Sequence, residues 1–109
     1  ATTGSLEALR KYTEATQAND VDQDYDRAIR LLREAVAIDS TFALGWRKMA
    51  AALINARAPG SAVDSALERA ARYADRLPEL EKQLVRGSFY ERHRTLGDRG
   101  KALAAYQAA

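Results

Sequence analysis

A chain of 109 residues that is 47% hydrophobic and 29% charged has room for one modest core and too much apolar content to stay unfolded. It has no Cys, which excludes a disulfide framework, a cysteine-ligated zinc site and a cysteine nucleophile, and no apolar run near the ~20 residues that span a bilayer. A net charge of +2 is too small to argue for nucleic acid by itself.

Apolar residues recur at helical spacing in six segments, and no segment shows the strict alternation of a half-buried strand. The first helix uses Leu6, Leu9, Tyr12 and Ala15. The polar loop "NDVDQD" follows, where Asp20, Asp22, Asp24 and Asp26 make an acidic stretch. Alternating Asp resembles the start of a calcium loop, but such a loop needs a Gly at its turn and a distal Glu. Those places hold Tyr25 and Leu31, so we expect an acidic loop that caps the next helix. The second helix uses Tyr25, Ala28, Ile29, Leu32, Ala35 and Val36. "DST" then offers caps before a third helix on Phe42, Trp46, Met49, Ala50 and Leu53. "APGSAVD" combines a breaker with a capping box, Ser61 followed by Asp64, and opens a fourth helix on Val63, Ala66, Leu67, Ala70 and Ala74. Pro78 starts the fifth, with Glu79 and Glu81 suited to the positive helix end. That helix uses Leu80, Leu84, Gly87 and Tyr90 and is expected to end at Gly97. Asp98 caps the last helix, on Ala102, Leu103 and Tyr106.

Helices of this length joined by short loops lie antiparallel to their neighbours, and the pairs repeat. Ala15 aligns with Ala50, Ala28 with Val63, Leu32 with Leu67 and Ala35 with Ala70, each at a shift of 35. The set Trp46, Met49, Ala50 and Leu53 on a first helix, with small–large–small sets on the second helices, resembles the tetratricopeptide repeat, whose unit is about 34 residues. Those sets are Ala28, Leu32 and Ala35, then Val63, Leu67 and Ala70, then Ala102, Tyr106 and Ala109. The resemblance covers nearly the whole chain. It implies an all-α, right-handed superhelix of three helix–turn–helix repeats, at about residues 5–40, 41–77 and 78–109, forming one domain. The chain departs from the family in lacking the Pro that closes each unit, in its loop lengths and in having no Trp to open its first unit. It begins at Ala1 rather than Met, and we expect a piece of a longer protein. A narrower resemblance, carried by "SLEALRKYTEA", "AIRLLREAVAIDSTFALGWRKMA" and "ADRLPELEKQLVRGSFY", is to repeat regions of large bacterial signalling proteins, typically membrane-anchored serine/threonine kinases. It implies a scaffolding or sensory arm, on the cytoplasmic or the extracytoplasmic side, and carries none of the kinase catalytic motifs.

In such repeats the first helices line a concave groove. Carried onto this chain, the groove-facing positions are Leu9, Tyr12, Thr16 and Asn19, then Leu44, Arg47, Lys48, Ala51 and Asn55, then Leu84, Ser88, Glu91 and Arg92. Arg47 and Lys48 would make a basic centre for an acidic or C-terminal carboxylate peptide, with Tyr12, Leu44 and Leu84 as apolar contacts. Both are otherwise solvated surface charges. Thr16 stands where chaperone-docking members carry an Asn, so a chaperone partner is not expected. Trp46 is expected to pack between units, with Met49 as a gap-filler, and a ligand-contact role is its alternative.

His93 is the only His, so a metal site is not expected, and a solvated or helix-end place is. Ser88, His93 and Asp98 are not accompanied by a nucleophile turn or an oxyanion hole, so no enzyme activity and no cofactor are expected. The basic stretch Arg86 to Lys101 includes Phe89 and Tyr90, but Glu91 and Asp98 dilute it, and no nucleic-acid partner is expected. The expected function is protein or peptide binding. The alternative is a spacer, or homo-oligomerisation through the C-terminal helix, where Leu103 and Tyr106 are apolar.

Overall fold

The computed structural model of the protein describes residues 3–109. Within them the chain is all-helical: α1 (Leu6–Asp20), α2 (Tyr25–Ile38), α3 (Ala43–Asn55), α4 (Gly60–Arg72), a short 3-10 turn (Ala74–Arg76), α5 (Glu79–Arg92) and α6 (Arg99–Ala108). There is no strand among the described residues.

Three helix starts are capped by side chains. Ser5 accepts from the Ala8 N–H, Asp24 from Arg27 and Asp98 from Lys101, each satisfying a donor that the helix cannot. The other two expected caps are not formed. Phe42 and Pro59 occupy the N-cap positions of α3 and α4, and neither end has a side-chain cap. Asp39 instead folds the preceding turn, accepting from the Thr41 N–H and hydroxyl and from the Thr3 hydroxyl. Asp64 is drawn away from Ser61 by Arg94, far along the chain.

Each consecutive pair, α1 with α2, α3 with α4 and α5 with α6, packs along its length, and α2 on α3 and α4 on α5 join the pairs. The first helices of successive pairs also touch, α1 with α3 and α3 with α5. One apolar cluster runs through α1 to α4, from Ala15 and Ala18 through Leu32 and Val36 to Met49, Leu53 and Leu67. A second joins Ala43, Ala70 and Ala74 to Leu77 and Val85 at the start of the third pair. Small residues dominate the contact faces, which lets helix axes approach. Gly87 of α5 shows the limit: Tyr106 of α6 lies where its Cβ would be.

Several apolar positions read from the sequence do not reach the core. Leu6 (74% exposed), Leu80 (56%) and Leu103 (58%) face solvent, and Ala8, Val85 and Ala105 are buried in those helices instead, while Ala102 is buried as expected. The fifth helix does not extend to Gly97. It stops at Arg92, and His93 turns the chain into extended backbone at φ −69°, ψ 129°. The connection to α6 closes through the Gly97 N–H on the His93 carbonyl and the Asp98 N–H on the Tyr90 carbonyl.

Candidate functional site

Side chains of α1, α3 and α5, with Leu67 of α4 and Tyr106 of α6, line an open cleft of about 300 Å³. Eight of the thirteen groove positions named from the sequence meet there: Asn19, Arg47, Lys48, Ala51, Asn55, Ser88, Glu91 and Arg92. Leu9, Tyr12, Thr16, Leu44 and Leu84 do not line this cleft. Tyr12 and Leu44 pack on the cluster around Phe42, with the Tyr12 and Phe42 rings 5.1 Å apart. Burial pushes the Tyr12 hydroxyl pKa up, against the pull of the nearby Arg47 charge.

A polar ladder crosses the cleft. Asn55 donates to the Asn19 side-chain carbonyl at 3.1 Å, and Asn19 donates to Asp20 at 2.7 Å. Lys48 closes the ladder on the same carboxylate at 3.1 Å. The Asn19 amide and Lys48 together hold the Asp20 carboxyl below its usual pKa, although partial burial works the other way. Asp20 is thus a cleft residue that sequence reasoning assigned to the acidic loop, and Lys48 is a neutralised cation. Arg47 differs. Its Nε donates to Ser88 Oγ at 2.8 Å, which fixes the guanidinium plane, and no carboxylate lies within ion-pair distance among the described residues. A half-buried guanidinium that is oriented but uncompensated is suited to bidentate contact with a carboxylate.

Trp46, Met49 and Leu53 lie on another face of α3. They floor a second, open cleft of about 470 Å³ between α2 and α4. The Trp46 indole donates to the Ser40 carbonyl at 2.8 Å, and the Arg69 guanidinium lies 4.8 Å from its ring centroid. Trp46 is half-buried, and it meets both core clusters as well as the open cleft.

His93 sits at a helix end but is not solvated: it is 7% exposed. Its Nδ1 faces the N–H groups of Leu96 (3.0 Å) and Thr95 (3.3 Å), so it accepts, which assigns the ring proton to Nε2, 2.8 Å from Glu68. Next to it Arg94 holds Asp64 through both Nε (2.7 Å) and its backbone N–H (3.2 Å). These two contacts strap the α5–α6 connection to α4. Among the described residues no group of three or more His, Asp or Glu side chains is placed to hold a metal ion, and the Asp20–Asp26 stretch is divided between a helix end, a turn, an N-cap and the first turn of α2. No helix among them is long and apolar enough to cross a membrane. Compared with known proteins, the chain matches no family model, no curated protein and no solved structure.

Proposed function

We propose that the chain is a protein-interaction module, a right-handed superhelix of three tetratricopeptide-like hairpins that binds a carboxylate-bearing peptide in the cleft between α1, α3 and α5. The contacts of α1 with α3 and of α3 with α5 support the stacking, because in such a superhelix the first helices line the concave side. The observation that carries the ligand class is Arg47: a guanidinium aimed by Ser88 and left without a carboxylate, while its neighbour Lys48 is already satisfied by Asp20. Asn55, exposed and held in place by Asn19, offers the peptide backbone its side-chain carbonyl beside it. In a larger bacterial signalling protein such a module would serve as the scaffolding or sensory arm.

Affinity capture from the source organism's lysate tests this, with wild type beside Arg47→Glu. Reversing the charge places a carboxylate where the ligand's would sit, and we expect the captured protein to bind roughly tenfold or more weakly at unchanged melting temperature. Equal capture by both proteins would remove the cleft from the function.

A further inference from the structure

The second cleft carries an uncompensated charge of its own. Arg33 on α2 and Arg69 on α4 rim it, above the apolar floor of Trp46 and Met49. The carboxylate next to each arginine in sequence is already taken. Glu34 reaches across to Lys11 at 3.0 Å, and Glu68 is held by His93 at 2.8 Å. Neither Arg33 nor Arg69 has an ion-pair partner among the described residues. The chemistry that fits is an apolar side chain flanked by carboxylates.

The chain itself presents such a group. Val21, 65% exposed, sits at the α1–α2 turn next to Asp22, with Asp24 beyond it. Asp22 has no cation partner among the described residues. The turn is already rigid, with the Val21 and Asp22 N–H groups both on the Gln17 carbonyl at 3.0 Å and the Asp24 N–H on the Ala18 carbonyl at 2.8 Å. Little ordering entropy is left to lose on docking. It cannot enter its own chain's cleft, because α2 itself holds Arg33 roughly 12 Å from the turn.

We propose that the α2–α4 cleft is a self-association site that receives the α1–α2 turn of a second copy of this chain, with Val21 on Trp46 and Met49 and with Asp22 and Asp24 facing Arg33 and Arg69. The contact is heterologous, so each docked copy still offers one free turn or cleft, and growth continues unless a ring closes. A single turn buries little surface, so the association is weak and salt-sensitive. It uses a different face of α3 from Arg47 and stands independently of peptide binding there.

Trp46 is the only Trp and lines this cleft, so its emission responds to an occupant there. The full chain would be followed by Trp fluorescence and analytical ultracentrifugation as its concentration rises to roughly millimolar, the range of weak single-turn contacts. A synthetic peptide of residues 17–25, capped at both ends and keeping the Gln17 and Ala18 carbonyls that the turn bonds to, serves as a monovalent probe. We expect concentration-dependent association, a matching change in Trp46 emission, competition by the peptide, and loss of both at high salt. Arg33→Glu and Asp22→Arg are surface changes. Each weakens association roughly tenfold, and mixing the two variants restores it, because the intact turn of Arg33→Glu meets the intact cleft of Asp22→Arg and the two reversed charges also meet. Arg47→Glu leaves it intact. A strict monomer overturns the proposal, and so does association indifferent to Arg33→Glu and Asp22→Arg. Binding of the free peptide in the cleft without association of the chains also overturns it, and would assign the cleft to another protein's acidic segment.

Discussion

Gly87 is the position where one added carbon tests the packing of the third helical pair. A Cβ there falls 2.4 Å from Tyr106 Cε1, 2.6 Å from Cδ1 and 2.7 Å from Cζ. Carbon atoms in contact sit about 3.5–4 Å apart, so the ring or the whole of α6 must move. Two effects oppose each other in Gly87→Ala. Replacing Gly by Ala inside a helix stabilises by about 0.8–1.0 kcal/mol. Forcing a methyl into a filled contact typically costs about 1–3 kcal/mol, and three ring atoms are displaced here rather than a flexible side-chain tip. With three ring atoms displaced the cost lies in the upper part of that range, about 2–3 kcal/mol, so the clash wins and the expected net loss is about 1–2 kcal/mol. In a Tyr106→Ala background the obstacle is gone, and the same substitution should stabilise by about 0.8–1.0 kcal/mol. The sign therefore reverses, with a coupling of about 2 kcal/mol or more. Urea denaturation of the four proteins, followed by far-UV circular dichroism, measures it. A Gly87→Ala change of the same sign and size in both backgrounds would falsify the α5–α6 contact.

Two further predictions concern stability. Burial pushes the Asp64 carboxyl pKa up, but the Arg94 side-chain and backbone donors outweigh it and hold it below the ordinary value. A lowered carboxylate contributes stability above its unfolded pKa of about 3.9 and loses it as pH falls through the folded value. The wild-type melting temperature should therefore fall below about pH 4 more steeply than that of Asp64→Asn. At neutral pH the variant should be less stable by about 1 kcal/mol, kept small because Arg94 is largely exposed. Parallel pH profiles for the two proteins would show that the Arg94 strap carries no stability. Arg57 holds φ at +58°, a left-handed backbone that costs a non-glycine residue about 1–2 kcal/mol. Arg57→Gly removes that strain and gives back part of it to unfolded-chain entropy, so the midpoint of thermal unfolding should rise by an amount equivalent to about 0.5–1 kcal/mol, and a lower midpoint would refute the strain.

The helix count and the pairing order were legible because each segment repeats apolar residues every three or four positions and ends on polar or breaker residues. The phase of the Ala-rich helices was harder to read. In α1 a count of large side chains selects Leu6, yet the neighbour packs on Ala8 and Ala15, where small side chains let the axes approach. The same preference selects Leu80 over Val85 in α5. The end of α5 was misplaced for a different reason. Gly97 is a reasonable stop signal, but the His93 ring accepts backbone N–H groups from Leu96 and Thr95, and that satisfies the connection five residues early. No spacing rule announces a ring folded back on its own chain. The capping box at Ser61 failed because Arg94, thirty residues further on, competes for Asp64. The site divides along the same line. That Arg47 and Lys48 share one stretch of α3 facing α1 and α5 follows from helical geometry, but their different fates depend on partners from other helices.

Those fates follow from charge balance. With 17 Lys and Arg against 15 Asp and Glu, nearly every cation could have its own carboxylate, so an arginine without one beside a cleft owes its isolation to where the acids went. Asp20 is taken by Lys48, Glu34 by Lys11 and Glu68 by His93. Each of these contacts comes from another helix or from the α5–α6 connection, and each sits next to an arginine that is left over. Pairs with a solvated carboxylate contribute little to stability, typically under ~1 kcal/mol each. Their larger consequence is to leave Arg47 on one face of α3, and Arg33 and Arg69 over the other, as positive groups with no carboxylate partner among the described residues. Restoring an acid to Arg33 within the chain, by Ala37→Glu one helical turn away, should then abolish self-association while leaving Arg47-dependent peptide binding as it was. An Ala37→Glu variant that still associates like wild type would show that the free charge of Arg33 is not what the second copy recognises.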